Sequence, residues 1–378
     1  MIYLDNAATS WPKAPGVAEA IAASVLEPIG NVGRSSHAAA LAANGILYKC
    51  RSLVMHFIPP TSIEKVVFTR NATEALNLAL FGSLQSGATV LTTPMEHNAV
   101  GRPIHQLALR DVRIEVCPCD DFGRIDAEIF RAELRRTRPS LAVFTAASNV
   151  TGAINPVETM VADCVSQGVP YVVDAAQSIG ELPRWQFPDI GDGAVCFSLH
   201  KSLLGPAGVG VIALYGKFRP RPLYYGGTGS LSDSIFQPEF LPDCYESGTP
   251  AIHAIAGCAS ALEYCHTHES EIQNQRKLMG GLLQAGLLRF PELRMLSPDA
   301  DRLPVISVTT RSRSISALTN ALYTAGIAVR TGFHCAPLAH QRLGSTQAGG
   351  AVRFSPGFAT TESEINQILA IVEGALRG

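Results

Sequence analysis

Tyr171-Val172-Val173-Asp174-Ala175-Ala176-Gln177 is followed further on by Ala194-Val195-Cys196-Phe197-Ser198-Leu199-His200-Lys201 and then by Gly205-Pro206-Ala207-Gly208-Val209-Gly210. The first two segments carry a short apolar run bounded by turn residues, the pattern of a strand buried on both faces of a parallel sheet. Polar residues just past such strands line the crevice at the carboxyl edge, where open α/β sheets bind ligands. Asp174 and Lys201 are therefore expected to meet in one site.

Strand-like and helix-like stretches alternate on either side of these segments. Apolar runs at 66–69, 89–92, 112–116, 141–145 and 209–214 join the two central ones, and the alternation predicts an α/β fold with a mostly parallel sheet covered by helices. Residues 16–57 are Ala-rich and helical in pattern, broken by the loop Pro28-Ile29-Gly30-Asn31-Val32-Gly33, which runs on through Arg34-Ser35-Ser36-His37 and is expected to reach the site. The Pro/Gly-rich piece 218–250 reads as the joint between lobes. A long helical stretch from about 251 to 288 follows, then strands at 304–308, ending at Arg330 and around Arg353, a helix near 315–325, and a last helix from Thr361. Thr361-Glu362-Ser363-Glu364 has the spacing of a capping box. The division expected is a large domain at 15–250 and a small α+β domain made of 1–14 with 251–378.

Composition narrows the function. A chain of 378 residues exceeds the roughly 250 to 300 that a single core supports, and 47% hydrophobic with 16% charged residues reads as globular. With 30 Lys+Arg against 32 Asp+Glu and no basic stripe, no nucleic-acid partner is expected. A small neutral or zwitterionic substrate fits better. Met1-Ile2-Tyr3-Leu4-Asp5-Asn6 lacks a basic leader and no run approaches the roughly 18 apolar residues of a membrane span, so a cytoplasmic protein with no membrane association is expected. Nine cysteines, an odd number without regular spacing, suggest free thiols in a reducing compartment. Cys50, Cys164 and Cys258 read as small core residues. Neither Cys117-Pro118-Cys119 nor Cys265-His266-Thr267-His268 has the spacing of a zinc site.

The Asp174 and Lys201 pair is what a pyridoxal phosphate enzyme needs: an amine to join the cofactor aldehyde, and a carboxylate to keep the ring nitrogen protonated. Read singly, Asp174 is equally a helix cap and Lys201 a solvated loop residue. Other strand ends add to the pair. Arg70-Asn71-Ala72-Thr73-Glu74-Ala75-Leu76-Asn77 turns into a helix whose N-terminus suits a phosphate, or is simply capped by Asn71 and Glu74. Met95-Glu96-His97-Asn98 places an imidazole on the same edge, and Ser148-Asn149-Val150-Thr151-Gly152 adds an amide. In the small lobe, Ala328-Val329-Arg330-Thr331-Gly332-Phe333-His334-Cys335-Ala336-Pro337 puts a cysteine beside cationic groups, which favour the reactive thiolate. Arg353, in an apolar strand, needs an anionic partner, either an internal acid or a substrate carboxylate.

Together with Tyr3-Leu4-Asp5-Asn6-Ala7-Ala8-Thr9 and Glu246-Ser247-Gly248-Thr249-Pro250, these stretches resemble the class V aminotransferase-like, fold-type I pyridoxal phosphate enzymes, and among them the cysteine desulfurases. The Arg330 to Ala336 loop resembles that of the SUF-type and selenocysteine lyase-like group. The resemblance implies a large domain with a seven-stranded sheet, pyridoxal 5'-phosphate as cofactor, and roles for particular residues. Lys201 would be the Schiff-base lysine, Asp174 the pyridinium partner and His97 the ring-stacking residue. Asn149 and Gln177 would bond the phenolic side, while Ala72, Thr73, Ser198 and His200 would hold the phosphate. Thr249 would approach the phosphate of the neighbouring subunit of a homodimer. Arg353, with Arg330 and Asn149 beside it, would bind the carboxylate of L-cysteine, or of L-selenocysteine as the alternative substrate. Cys335 would take the sulfur as a persulfide and pass it to an acceptor protein or small reductant. Phe333 departs from the family, which often has His there, and the segment between Cys335 and Arg353 has no assigned part. The close rival is a selenocysteine lyase or another pyridoxal phosphate-dependent lyase or epimerase of the class V family, and a non-catalytic scaffold is the reading from another class.

Overall fold

The computed structural model describes residues 1–33, 37–297, 301–311 and 314–377. Arg34, Ser35 and Ser36, part of the loop expected near the site, lie outside the described residues. The chain opens with β1 (Ile2–Tyr3), α1 (Val17–Leu26) and α2 (Ala38–Val54), then alternates: β2 (Val66–Thr69), α3 (Ala72–Ser83), β3 (Thr89–Thr92), α4 (Asn98–Ala108), β4 (Arg113–Val116), α5 (Ala127–Thr137), β5 (Leu141–Thr145), α6 (Val157–Ser166), β6 (Tyr171–Asp174), β7 (Gly193–Ser198) and β8 (Gly210–Tyr215).

These seven strands form one sheet in the order β2-β8-β7-β6-β5-β3-β4. All pairs are parallel except those of β8, which runs against both neighbours. Successive residues face opposite cores: Val173, Val195 and Phe197 pack beneath α2, α5 and α6, while Val172, Ala194 and Cys196 pack beneath α3 and α4. Burial on both faces is what the continuous apolar runs required. Because β2, β3, β5, β6 and β7 point the same way, their carboxyl ends share one edge.

Two helices follow, α7 (Ile252–Thr267) and α8 (Glu269–Leu287), in place of the single helical stretch expected. They meet at His268, whose φ of −114° ends α7 and starts α8. Core packing divides the helices differently from the boundary expected at residue 250. Ile255, Cys258, Leu262 and Cys265 of α7 belong to the large lobe's core, whereas Met279, Leu283 and Leu287 of α8 belong to the small lobe's. The piece 218–250 is likewise no joint: Phe218 is buried in the large core, and Leu223, Leu241 and Tyr245 pack on it. α8 makes the crossing instead.

The small lobe contains β9 (Leu293–Met295), β10 (Ile306–Thr310), α9 (Ser316–Thr324), β11 (Ile327–Ala328), β12 (Arg330–Gly332), α10 (Pro337–Arg342), β13 (Ala351–Phe354) and α11 (Glu362–Arg377). Its sheet, β12-β13-β10-β9, is antiparallel throughout. The strand expected to end at Arg330 splits at Val329, with β11 pairing β1 and β12 pairing β13. Gly350 has a φ of +100°, and a Cβ there would lie 2.2 Å from the Gly332 carbonyl oxygen, so only glycine lets β12 and β13 approach at this point. At α11 the Thr361 N–H bonds Glu364 Oε2 at 2.8 Å and the Glu364 N–H bonds Thr361 Oγ1 at 3.3 Å, the reciprocal cap that the sequence indicated. Among the described residues, no helix is long and apolar enough to cross a membrane, and no three His, Cys, Asp or Glu side chains gather as a metal site.

Candidate active site

Asp174 lies opposite Cys196 on the neighbouring parallel strand, so the ends of β6 and β7 open into the same crevice. The cavity there has a volume of about 230 Å³. Lys201, Asp174, Gln177, His97, Asn149, Ala72, Thr73, Ser198, His200, Arg330, Arg353 and Cys335 all line it. Thr249 does not. It borders a separate cavity of about 1130 Å³ on the large lobe, with Arg51, Arg70, Tyr224 and Glu246.

The turn between β2 and α3 is both capped and open. Asn71 Oδ1 accepts the Glu74 N–H at 3.0 Å, while the Ala72 N–H bonds Ser198 Oγ at 2.8 Å. Thr73 lies between these two on the first helical turn and lines the cavity, where the positive end of the helix faces inward. On the far side, His200 Nδ1 pairs with Thr9 Oγ1 at 3.0 Å, and Gln177 Nε2 donates to the Ala7 carbonyl at 3.0 Å. The N-terminal segment thus closes one wall.

Burial dominates the ionisation of the central groups. It pushes the Lys201 amine down to about 8, against the pull of the Asp174 carboxylate. It raises Asp174, which the Ala176 N–H at 3.0 Å and the Lys201 charge partly offset. His97 is pushed down to about 4 by burial and then by Lys201, Arg353, Arg330 and Arg102. Its Nδ1 accepts the Ala99 N–H at 3.0 Å, so the neutral ring carries its proton on Nε2.

The cysteine loop reaches this cavity from the small lobe and is fastened to the large one. The Cys335 carbonyl accepts the Asn98 N–H at 2.7 Å, and the His334 carbonyl accepts Asn149 Nδ2 at 2.8 Å. His334 and Cys335 have φ of +48° and +55°, a left-handed conformation unusual for residues with a side chain. Arg330 Nη2 lies 3.7 Å from Cys335 Sγ. Of the nine cysteines, all free, Cys335 is the exposed one; Cys119 is partly covered and the other seven are buried.

Arg353, 3% exposed, turns out to have an internal acid: Nη2 bonds Asp5 Oδ1 at 2.8 Å and Nη1 bonds the Asn149 carbonyl at 3.0 Å. Its Nε has no partner. A buried N–H without an acceptor is costly; Arg353 lines the cavity, and a carboxylate bound there would offer this N–H an acceptor.

Three neighbours were not foreseen in the sequence as site residues. Asp5 comes from the opposite end of the chain, so spacing gave no sign of it. Glu96 stands directly before His97 in the sequence, where nothing marks it apart from its neighbour. It is buried beneath the edge, with Oε1 accepting the Thr93 hydroxyl at 2.6 Å and the Thr145 N–H at 3.0 Å, and Oε2 unpartnered. Burial, aided by the Asp174 charge, raises it to about 8. His334 also lines the cavity and is buried, with neither ring nitrogen partnered.

An amine, a facing carboxylate, a flat imidazole and a helix N-terminus with hydroxyls fit pyridoxal phosphate, and the unpartnered guanidinium N–H of Arg353 fits a substrate carboxylate. Comparison with known proteins places the chain in a family with that chemistry. Residues 2–368 match the model of the class-V aminotransferases. A cysteine desulfurase from Pectobacterium carotovorum is 33% identical, with 98% of this chain and 92% of that one covered. A probable cysteine desulfurase from Pseudomonas aeruginosa is 32% identical over 100% of this chain and 94% of its own. Among solved structures, the apo cysteine desulfurase from Thermococcus onnurineus superposes with a TM-score of 0.90 at 28% identity, covering 100% of this chain and 95% of that one. The chain belongs to the class-V aminotransferase family.

Proposed function

We propose that this protein is a pyridoxal phosphate-dependent cysteine desulfurase, which converts L-cysteine to L-alanine and retains the sulfur as a persulfide on Cys335. The observation that carries this reading is an exposed thiol, held by backbone bonds, in the same cavity as Lys201, Asp174 and Arg353. The cofactor, when bound, supplies an electron sink for charge developing at the substrate's α-carbon. Asp174, below the sheet edge, would face the ring nitrogen, His97 the ring, and the α3 N-terminus with Thr73, Ser198 and His200 the phosphate.

Arg353 binds the substrate carboxylate through its unpartnered Nε, with Arg330 adding charge at the mouth. Lys201, whose amine loses its proton near pH 8, removes the α-proton. The Cys335 thiolate attacks the substrate sulfur; the new S–S bond forms as the Cβ–S bond breaks, the departing electron pair is protonated at Cβ, and Lys201 returns a proton to the α-carbon to give alanine. The neutral His97, with its proton on Nε2, would move the proton that reaches Cβ.

A homodimer fits the larger cavity, where Thr249 would meet the other subunit's cofactor phosphate. A thiol of another protein, or a small reductant, would accept the sulfur, and nine free cysteines accord with a cytoplasmic setting. Cys335→Ser is expected to abolish sulfide and alanine release from L-cysteine while leaving the bound cofactor's visible absorbance unchanged. Undiminished release would refute the assignment.

A further inference from the structure

Arg276, in α8, is 2% exposed and is the largest fully buried side chain among the described residues. Its Nη1 bonds Glu181 Oε1 at 2.8 Å, and Nη1 and Nη2 reach the Ser202 carbonyl at 3.2 and 3.3 Å. Glu181 belongs to the tight turns that continue from the Asp174 strand: the Ser178 N–H bonds the Ala175 carbonyl, and the Glu181 N–H bonds that of Ser178. Ser202 is the residue after Lys201. One guanidinium therefore ties together the turns that follow the two central groups of the site. It does so from the helix that crosses into the small lobe, since Ile272 of α8 packs in the large core and Met279 and Leu283 in the small one.

Two further observations say that the lysine turn needs holding. Leu204, wholly buried, has a φ of +58°, a strained conformation for a bulky side chain. A cavity of about 20 Å³, room for one water, lies between Lys201, Ser202, Arg276 and Glu181. A relaxed turn would widen it and hydrate the amine. The leading charges that act on Lys201 are Asp174, Arg353, Cys335 and Asp5, and Arg276 is not among them. Its contact with the lysine turn is through the Ser202 carbonyl.

We propose that Arg276, paired with Glu181, is a positioning residue that keeps the Lys201 turn closed against Asp174 and makes the reactivity of that lysine depend on the seating of the small lobe. The inference rests on Lys201 being the reactive lysine of the proposed function, and its test is read on the lysine itself. In the full-length protein freed of cofactor, the pH midpoint for modification of Lys201 by an amine-reactive reagent is followed by mass spectrometry of its peptide. Arg276→Met is expected to raise that midpoint by about 0.5 to 1 pH unit, because water reaching the amine restores its proton affinity. Arg276→Lys, which still donates to the carbonyl, is expected to recover at least half of the shift. A folded Arg276→Met protein with the wild-type midpoint, merely melting lower, would overturn the proposal. Should that variant not fold, Glu181→Ala decides: the same upward shift supports the proposal and an unmoved midpoint overturns it. The visible absorbance of cofactor-loaded wild type is recorded in parallel; its absence alongside a shifted midpoint refutes the cofactor reading and leaves the positioning role standing.

Discussion

The lysine turn after β7 and the cysteine loop after β12 both hold bulky residues in the left-handed region, Leu204 in the first and His334 with Cys335 in the second. Their surroundings differ. The lysine turn is enclosed: the Leu204 N–H bonds the Lys201 carbonyl at 2.9 Å, the Gly205 N–H bonds that of Leu199 at 2.9 Å, and the Ser10 N–H covers that of His200 at 3.0 Å. The cysteine loop keeps its thiol exposed and is held by two donors from the other lobe, Asn98 and Asn149. An amine that works in place is walled in, which also lowers its proton affinity. The thiol proposed to hand sulfur outward is left open, with its backbone fixed by bonds that cross between lobes.

The contrast can be broken hardest at the enclosed end. Lys201→Ala is expected to remove the cofactor's visible band and to cut sulfide release from cysteine by about 10³-fold or more, with the far-UV circular dichroism unchanged. Retained turnover would mean that the lysine is not the reactive amine. A milder change at the open end sharpens the comparison. Asn149→Ala frees the His334 carbonyl, so amide exchange at Ala336, whose N–H closes the loop on the Phe333 carbonyl, should quicken by about 3- to 10-fold. Exchange at Leu204 should not change; equal quickening of both would show that the two turns are not independently held.

The smallest expected effect on turnover comes from Glu96→Gln, beneath the shared edge. Glu96 is raised to about 8 in the fold. Its protonated form therefore contributes stability that is fully present below the ordinary carboxyl value near 4.3 and lost as pH rises towards 8. Glutamine, neutral throughout, does not lose it. The variant's unfolding free energy should gain on the wild type's between pH 5 and 8, by an amount on the order of a few kcal/mol, read as a growing advantage in melting temperature. Parallel pH profiles would contradict a neutral Glu96.

What could be read from the sequence was local. Asp174, His97, Asn149 and Lys201 each follow a short apolar strand, and strand direction alone carries such residues to one edge. What escaped reading depended on distant partners. Nothing near Arg353 announces Asp5, 348 positions away, and the two readings of that arginine are compatible because its three nitrogens divide between an internal acid, the Asn149 carbonyl and an open N–H. The apolar face of α7 looked the same whether it covered the large core or the small one; only its packing on α1 and α2 decided it. The break at His268 has no Gly or Pro to mark it, and the 218–250 piece lacked periodicity because it covers the large lobe as irregular chain.

The central claim is that Cys335 receives the sulfur of L-cysteine within the cavity built around Lys201. Mass spectrometry of the protein after a single exposure to L-cysteine, with alanine assayed in the same sample, tests it most directly. The account predicts one added sulfur on the Cys335 peptide, matched by alanine and absent from the Lys201→Ala protein. Alanine formed with the Cys335 peptide unchanged, or sulfur on another cysteine, would contradict it.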